Sequence, residues 1–220
     1  MRLFYPAATI TMKVLLLALT RWRVEGRENV PRTGPLIIVS NHLNNIDPPL
    51  LGASIPRDIY FMAKQELFEP RMVRAIVQAY GAFRVRRGVL DREAMRRAFE
   101  HLREGQVVGM FPEGQRSADH QLQSPQLGAA LLADRSGVPV LPVGINGSEQ
   151  MKGFKSIFHR PWITVTIGRP FVLTSTVGKR TRSRLTEHSD FIMGRIAELL
   201  PESYQGKYNC QVESGSVNGD

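Results

Sequence analysis

Apolar residues in this chain gather into short runs, and the segments between those runs carry helical spacing. Strand-like runs fall at 22–26, 36–40, 58–63, 81–86, 106–111, 138–145 and 162–168. Leu36-Ile37-Ile38-Val39 is typical: too short and too β-branched to prefer helix, and bounded by turn residues. The clearest helix is expected over Asp91–Arg103. There Ala94, Met95, Ala98, Phe99 and Leu102 share one face, and Gly105 follows as a stop signal. A second is expected over Pro125–Arg135, stopped by Gly137, and a closing amphipathic helix over Ser183–Leu200. Pro139 and Pro142 cannot donate to a ladder, so the Val138–Val143 run predicts an edge or irregular strand. Strands alternating with helices predict an α/β fold, a mixed and mostly parallel sheet flanked by helices.

The ends of the chain depart from that alternation. Residues 3–20 are the most apolar stretch, interrupted by Lys13 and flanked by Arg2, Arg21 and Arg23. A spanning helix needs about twenty apolar residues, for which this segment is marginal. The expectation is a membrane-associated N-terminal helix over 1–21, lying in or dipping into one leaflet with Trp22 and the arginines at the headgroups. The competing expectation packs the same helix on the protein's own core. One domain is expected over 22–200, and a disordered tail over 201–220, which is rich in Gly, Ser and Asn.

Charge narrows the partners. Lys and Arg outnumber Asp and Glu by 29 to 20, a net charge of +9, which suits a phospholipid surface, a phosphorylated substrate or an acidic carrier protein. Nucleic acid is not expected, because helix-turn-helix, zinc-ligand and aromatic ribonucleoprotein signatures are missing. Cys210 is the only cysteine, so no internal disulfide is expected. It lies in a polar segment, which argues against a nucleophile. The five histidines show no metal-ligand spacing, so neither a metal nor an organic cofactor is expected.

The candidate chemistry begins where the 36–40 run ends, in Ser40-Asn41-His42-Leu43-Asn44-Asn45-Ile46-Asp47-Pro48. A carboxylate five residues after a histidine can accept from Nδ1–H across a turn, fixing the tautomer and leaving Nε2 to take a proton. Asn41 is expected to organise this turn locally. Three further elements follow in order. Gly81-Ala82-Phe83-Arg84-Val85-Arg86-Arg87-Gly88 is a strand with three arginines, and an arginine fork suits a phosphate monoester. Phe111-Pro112-Glu113-Gly114-Gln115-Arg116 ends another strand in a glycine turn, and Val138–Val143 is the proline-containing run.

These four elements, in this order, resemble the 1-acylglycerol-3-phosphate acyltransferase family of glycerolipid acyltransferases. The resemblance runs from about Val24 to Phe171, roughly two thirds of the chain. It implies a catalytic pair, His42 as base and Asp47 as its orienter. It implies an acceptor site drawn from Arg87, Glu113, Gly114 and Arg116, with Lys64 of the Lys-x-Glu-Leu-Phe element beside it. Glu113 is expected to orient Arg116 or accept from a glycerol hydroxyl. The implied reaction moves a fatty acyl group from an acyl carrier protein or coenzyme A thioester to the hydroxyl of lysophosphatidate, giving phosphatidate, at the cytoplasmic face of the cell membrane. Neighbouring readings keep the chemistry with glycerol-3-phosphate or another lysolipid, or keep only a non-catalytic lipid-binding module. Some positions depart from the family pattern. Gln115 stands where threonine is usual, Arg84 and Arg86 replace apolar, polar or acidic residues, and a lysine common near Gln126 is missing.

Overall fold

The computed structural model describes residues 4–86, 91–151, 159–173 and 181–209. Its seven strands are β1 (Arg21–Glu25), β2 (Leu36–Ser40), β3 (Ile59–Lys64), β4 (Phe83–Val85), β5 (Val107–Met110), β6 (Val140–Asn146) and β7 (Trp162–Ile167). They form one sheet in the order β1-β7-β6-β2-β5-β3-β4. Every adjacent pair is parallel except β6/β7. Each predicted strand is present, and the sheet is mixed and mostly parallel, as the alternation implied.

β2 lies at the centre and every one of its residues is buried, the signature of a parallel strand covered on both faces. Alternate side chains feed two cores. Ile37 and Val39, with Val108 and Met110, face α4 (Arg92–Arg103), α5 (Gly128–Ser136) and α6 (Arg182–Ala197). Leu36 and Ile38, with Ile59, Phe61 and Val107, face α1 (Phe4–Leu19) and α2 (Asp47–Ser54). Gly109 in β5 is a packing requirement, since a Cβ there would sit 2.5 Å from the Phe61 ring. The α4 prediction holds to its cap. The Asp91 carboxylate accepts from the N–H groups of Glu93 and Ala94 at the helix start and from Arg86 N–H at the end of β4. Those donors, the Arg86 amide foremost, hold its carboxyl below the usual range.

Two expectations need correction. β6 is an interior strand, between β7 and β2, so of the edge or irregular alternatives the edge fails and the irregular pairing holds. Pro142 falls in the gap between the Val140/Phe171 bridge and the β6/β7 ladder, which begins at Val143. Its carbonyl accepts from Gly168 N–H, and only the missing return bond is lost. Residues 202–208, expected in the disordered tail, form α7 (Glu202–Gln205) and a 3-10 turn. Tyr204 fastens them, its carbonyl accepting from Leu122 N–H and its hydroxyl donating to Glu149. Tyr208 adds a bond to Asp190. The turn after β2 ends at Asp47, where α2 starts. Pro48 and Pro49 occupy its first turn, where an N–H has no intrahelical partner to lose. A further helix, α3 (Arg71–Ala79), links β3 to β4.

α1 is 16 residues long, about 24 Å at 1.5 Å per residue. Among the described residues no helix is long and apolar enough to cross a membrane. Tyr5 and Leu16 pack inward, while Phe4, Ile10, Val14, Leu15 and Leu17 stay exposed.

Candidate active site

Because β2, β3, β4 and β5 run parallel, their carboxyl ends share one edge of the sheet, the place where open α/β sheets bind ligands. Onto that edge come His42 after β2, Lys64 at the end of β3, Arg86 after β4 and Phe111–Arg116 after β5.

The predicted pair meets. His42 Nδ1 lies 2.8 Å from Asp47 Oδ2, and both side chains are buried. A carboxylate only accepts, so Nδ1 carries the proton in that bond, and in the neutral imidazole Nε2 is then the acceptor. The same Oδ2 accepts from Leu43 and Asn44 N–H, each at 2.7 Å. Two backbone donors therefore aim one oxygen at the imidazole, and Oδ1 has no partner among the described residues. Position in the chain explains the reach. Asp47 starts α2, and the Asn44 carbonyl accepting from Asp47 N–H closes the intervening turn.

The main chain of His42 is gripped from both sides by the loop after β5. Its N–H donates to Glu113 Oε1 at 3.0 Å, and its carbonyl accepts from Ser117 N–H at 2.8 Å. Glu113 Oε2 accepts from Gln123 N–H at 3.0 Å. Burial pushes the Glu113 carboxyl up to about 7, against the pull of the Gln123 and His42 amides, with the charges of Asp119 and Asp47 adding to the rise. Glu113 thus faces inward as a brace for the histidine loop and does not pair with Arg116. Gly114 turns the chain in the left-handed region at φ 72°, its N–H bonded to the Phe111 carbonyl. That turn leaves Arg116 exposed, without a hydrogen bond or ion pair among the described residues.

Lys64 is half-exposed and paired with Glu66 at 3.1 Å. Arg84 lies over the Phe68 ring, 5.2 Å from its centroid, and Arg86 leans on Asp91 at 3.4 Å. Arg87, the arginine assigned to phosphate, falls outside the described residues.

Several contributors were not legible beforehand. Phe111 stacks on the imidazole, centroids 4.2 Å apart and planes 22° from parallel. Its place just before Pro112-Glu113 was visible, its partner was not. Asn41 acts across the sheet rather than locally: it donates to the Ile145 carbonyl and accepts from the Ile145 N–H, both at 2.8 Å. Asn44 donates to the carbonyls of Ser148 and Met151. β6 and its following turn therefore hold the histidine loop from one side, and the Glu113 loop holds it from the other. No group of three or more His, Cys, Asp or Glu side chains able to hold a metal ion occurs among the described residues.

A lone imidazole oriented by a buried carboxylate, in a rigid loop at the binding edge, can remove a proton from a hydroxyl that then attacks an activated carbonyl. Comparisons with known proteins point the same way. A family model described as "Acyltransferase" matches residues 21–146. The chain is 28% identical over 197 residues to the 1-acyl-sn-glycerol-3-phosphate acyltransferase of Bacillus subtilis (strain 168), covering 89% of this chain and 96% of that protein. It is 28% identical over 176 residues to the chloroplastic 1-acyl-sn-glycerol-3-phosphate acyltransferase LPAT1 of Arabidopsis thaliana, with 76% of this chain and 49% of that one covered. Among solved structures, the 1-acyl-sn-glycerophosphate acyltransferase PlsC of Thermotoga maritima superposes with a TM-score of 0.67 at 22% identity, covering 98% of this chain and 81% of that one. That likeness is one of fold.

Proposed function

Since the chain belongs to the acyltransferase family, we propose that His42 is the general base of an acyl transfer to the free hydroxyl of lysophosphatidate, giving phosphatidate for phospholipid synthesis. The relatives named above carry that activity in their names. The observation that carries the residue assignment is the 2.8 Å bond from His42 to a buried Asp47, which leaves Nε2 free at the carboxyl edge of the sheet.

The acceptor hydroxyl lies against Nε2. As its oxygen attacks the thioester carbonyl, the O–H proton passes to Nε2, and Asp47 stabilises the imidazolium. The tetrahedral adduct then collapses. The C–S bond breaks, the thiolate takes the proton back from Nε2, and the imidazole is restored. The acceptor oxygen is itself the nucleophile, which accords with the missing Gly-x-Ser-x-Gly elbow. Arg116, which has no partner among the described residues, is the candidate for the acceptor phosphate, together with Lys64 and Arg87. Glu113 positions His42 through its main chain, and Gly114 lets the backbone come close to the acceptor. The donor is an acyl carrier protein or coenzyme A thioester. The exposed apolar side of α1 rests in one leaflet of the cell membrane, on its cytoplasmic side, where acceptor and donor meet.

A thiol-release assay tests this, with acyl carrier protein and coenzyme A donors and a panel of lysophosphatidate, glycerol-3-phosphate and neutral lysolipids. The expected outcome is thiol release that depends on lysophosphatidate and drops by ~10²–10⁴ in His42→Ala, the usual worth of a positioned base. A His42→Ala protein that keeps its rate would overturn the assignment.

A further inference from the structure

α3 is an anomaly of packing. None of its residues is buried, yet six of the nine in Arg71-Met72-Val73-Arg74-Ala75-Ile76-Val77-Gln78-Ala79 are Met, Val, Ile or Ala, more than a solvated surface calls for. Met72 and Ile76, one turn apart and therefore neighbours on the helix surface, are 82% and 56% exposed. Leu67, in the turn just before, is exposed as well. Arg71 and Arg74 lie on the same helix, exposed and without an ion pair among the described residues.

The neighbourhood says what this surface meets. α3 is fastened to α1 at Tyr80, whose hydroxyl donates to the Ala8 carbonyl at 2.9 Å and whose ring meets Tyr5 edge-on at 5.7 Å. Burial pushes both phenols well up, so the lock stays protonated and intact across the physiological range. α1 carries its own exposed stripe of Phe4, Ile10, Val14 and Leu17. Two adjoining helices thus present large apolar side chains, and one of them adds arginines without an ion pair among the described residues. Apolar side chains beside cations fit a lipid surface with anionic headgroups, where the former enter the acyl layer and the latter meet phosphate. The location also serves the chemistry. α3 follows β3, so its Met72 end lies at the carboxyl edge that carries Lys64 and the His42 loop.

We propose that α3 is a second membrane contact, with Met72 and Ile76 inserted among acyl chains and Arg71 and Arg74 on anionic headgroups, setting the acceptor-binding edge against the bilayer. The inference rests on the lipid acceptor and the leaflet contact of α1 given above.

The test uses the full chain and sedimentation with vesicles of phosphatidylcholine, with and without phosphatidylglycerol. Met72→Gln/Ile76→Gln is expected to weaken binding to the anionic vesicles by about tenfold or more, with its melting curve unchanged because neither side chain packs on the core. Arg71→Gln/Arg74→Gln is expected to lose the preference for anionic over zwitterionic vesicles. Transfer to a short-chain lysophosphatidate kept below its micellar concentration should be unaffected in the apolar variant, while transfer to an acceptor embedded in vesicles falls. Unchanged vesicle affinity in Met72→Gln/Ile76→Gln overturns the proposal. So does a shift from dimer to monomer by light scattering with vesicle affinity intact, which would assign the face to a second copy of the chain. A wild-type protein that binds vesicles through α3 yet releases no thiol would sink the transferase reading and leave this one standing.

Discussion

Replacing Glu113 with glutamine gives a sharp test of the brace on the histidine loop. In the folded protein this carboxyl is raised from an ordinary value of 4.5 to about 7 by burial, so the folded state resists its ionisation. The stability attached to the protonated form is fully present below pH 4.5. It is lost as pH climbs from there through about 7, because the unfolded chain ionises first. At 1.36 kcal/mol per pH unit, the interval corresponds to about 3 kcal/mol. Glu113→Gln cannot titrate, so the mutant lacks that slope. Its amide oxygen can still accept from His42 N–H, but its NH2 then faces Gln123 N–H, a donor against a donor, which costs about 1–3 kcal/mol. The mutant should therefore be the less stable protein at pH 4.5, and the gap should close or invert by pH 8. Urea unfolding of both proteins in the same detergent at several pH values between 4 and 8.5 measures the difference directly, because contributions from other titrating groups cancel. Two parallel stability profiles would refute the reasoning, since they would mean that the Glu113 carboxyl titrates alike in the folded and unfolded chain. The catalytic side of the same test is kcat, which should fall in Glu113→Gln with KM for the acceptor little changed, as suits a group that positions the base.

Three other outcomes follow from the geometry. Asp47→Asn can keep an amide oxygen on the Leu43 and Asn44 N–H groups and on His42 Nδ1, but it removes the negative charge that stabilises the imidazolium. Steady-state kinetics should then show kcat lower by roughly 10²–10⁴ with acceptor KM nearly constant, and an effect confined to KM would contradict the orienting role. Asn41→Ala strips both bonds from the Ile145 main chain inside the core, and urea unfolding should show a loss of about 2–4 kcal/mol; a change under 0.5 kcal/mol would mean that water or a shifted strand replaces the amide. Arg116→Ala should leave the melting temperature where it is, since the side chain makes no bond among the described residues. Its KM should rise roughly tenfold for phosphorylated acceptors, the weight of one charge-assisted contact, and stay flat for neutral ones.

Each departure from local expectation has the same physical cause. Pro139 and Pro142 were read through a local rule, that proline avoids ladders, whereas β6 runs through the sheet interior by setting Pro142 where the ladder with β7 has not yet begun. Of the two roles expected for Glu113, orienting Arg116 or accepting from a glycerol hydroxyl, the first gives way to bonds with the His42 and Gln123 amides. Asn41 was given a local turn and bonds a strand 104 residues on. Residues 202–208 looked too polar to order, yet two tyrosine hydroxyls and a backbone bond tie them down. In each case the partner lay far away along the chain, where spacing carries no information.

What the sequence determined alone is what depends on neighbours within a few residues. The positions of all seven strands, the Asp91 cap and stop of α4, and the His42–Asp47 pairing across one turn belong to that class, because side-chain period, caps and turn residues act over short separations. Tertiary structure decided which strands are adjacent and therefore that the motifs after β2, β3, β4 and β5 share one edge. It also decided that the histidine loop is held by Ile145 on one side and Glu113 on the other, and that α1 and α3 leave apolar side chains uncovered. Those facts arise from long-range strand pairing and from competition for burial, which no local stretch of residues encodes.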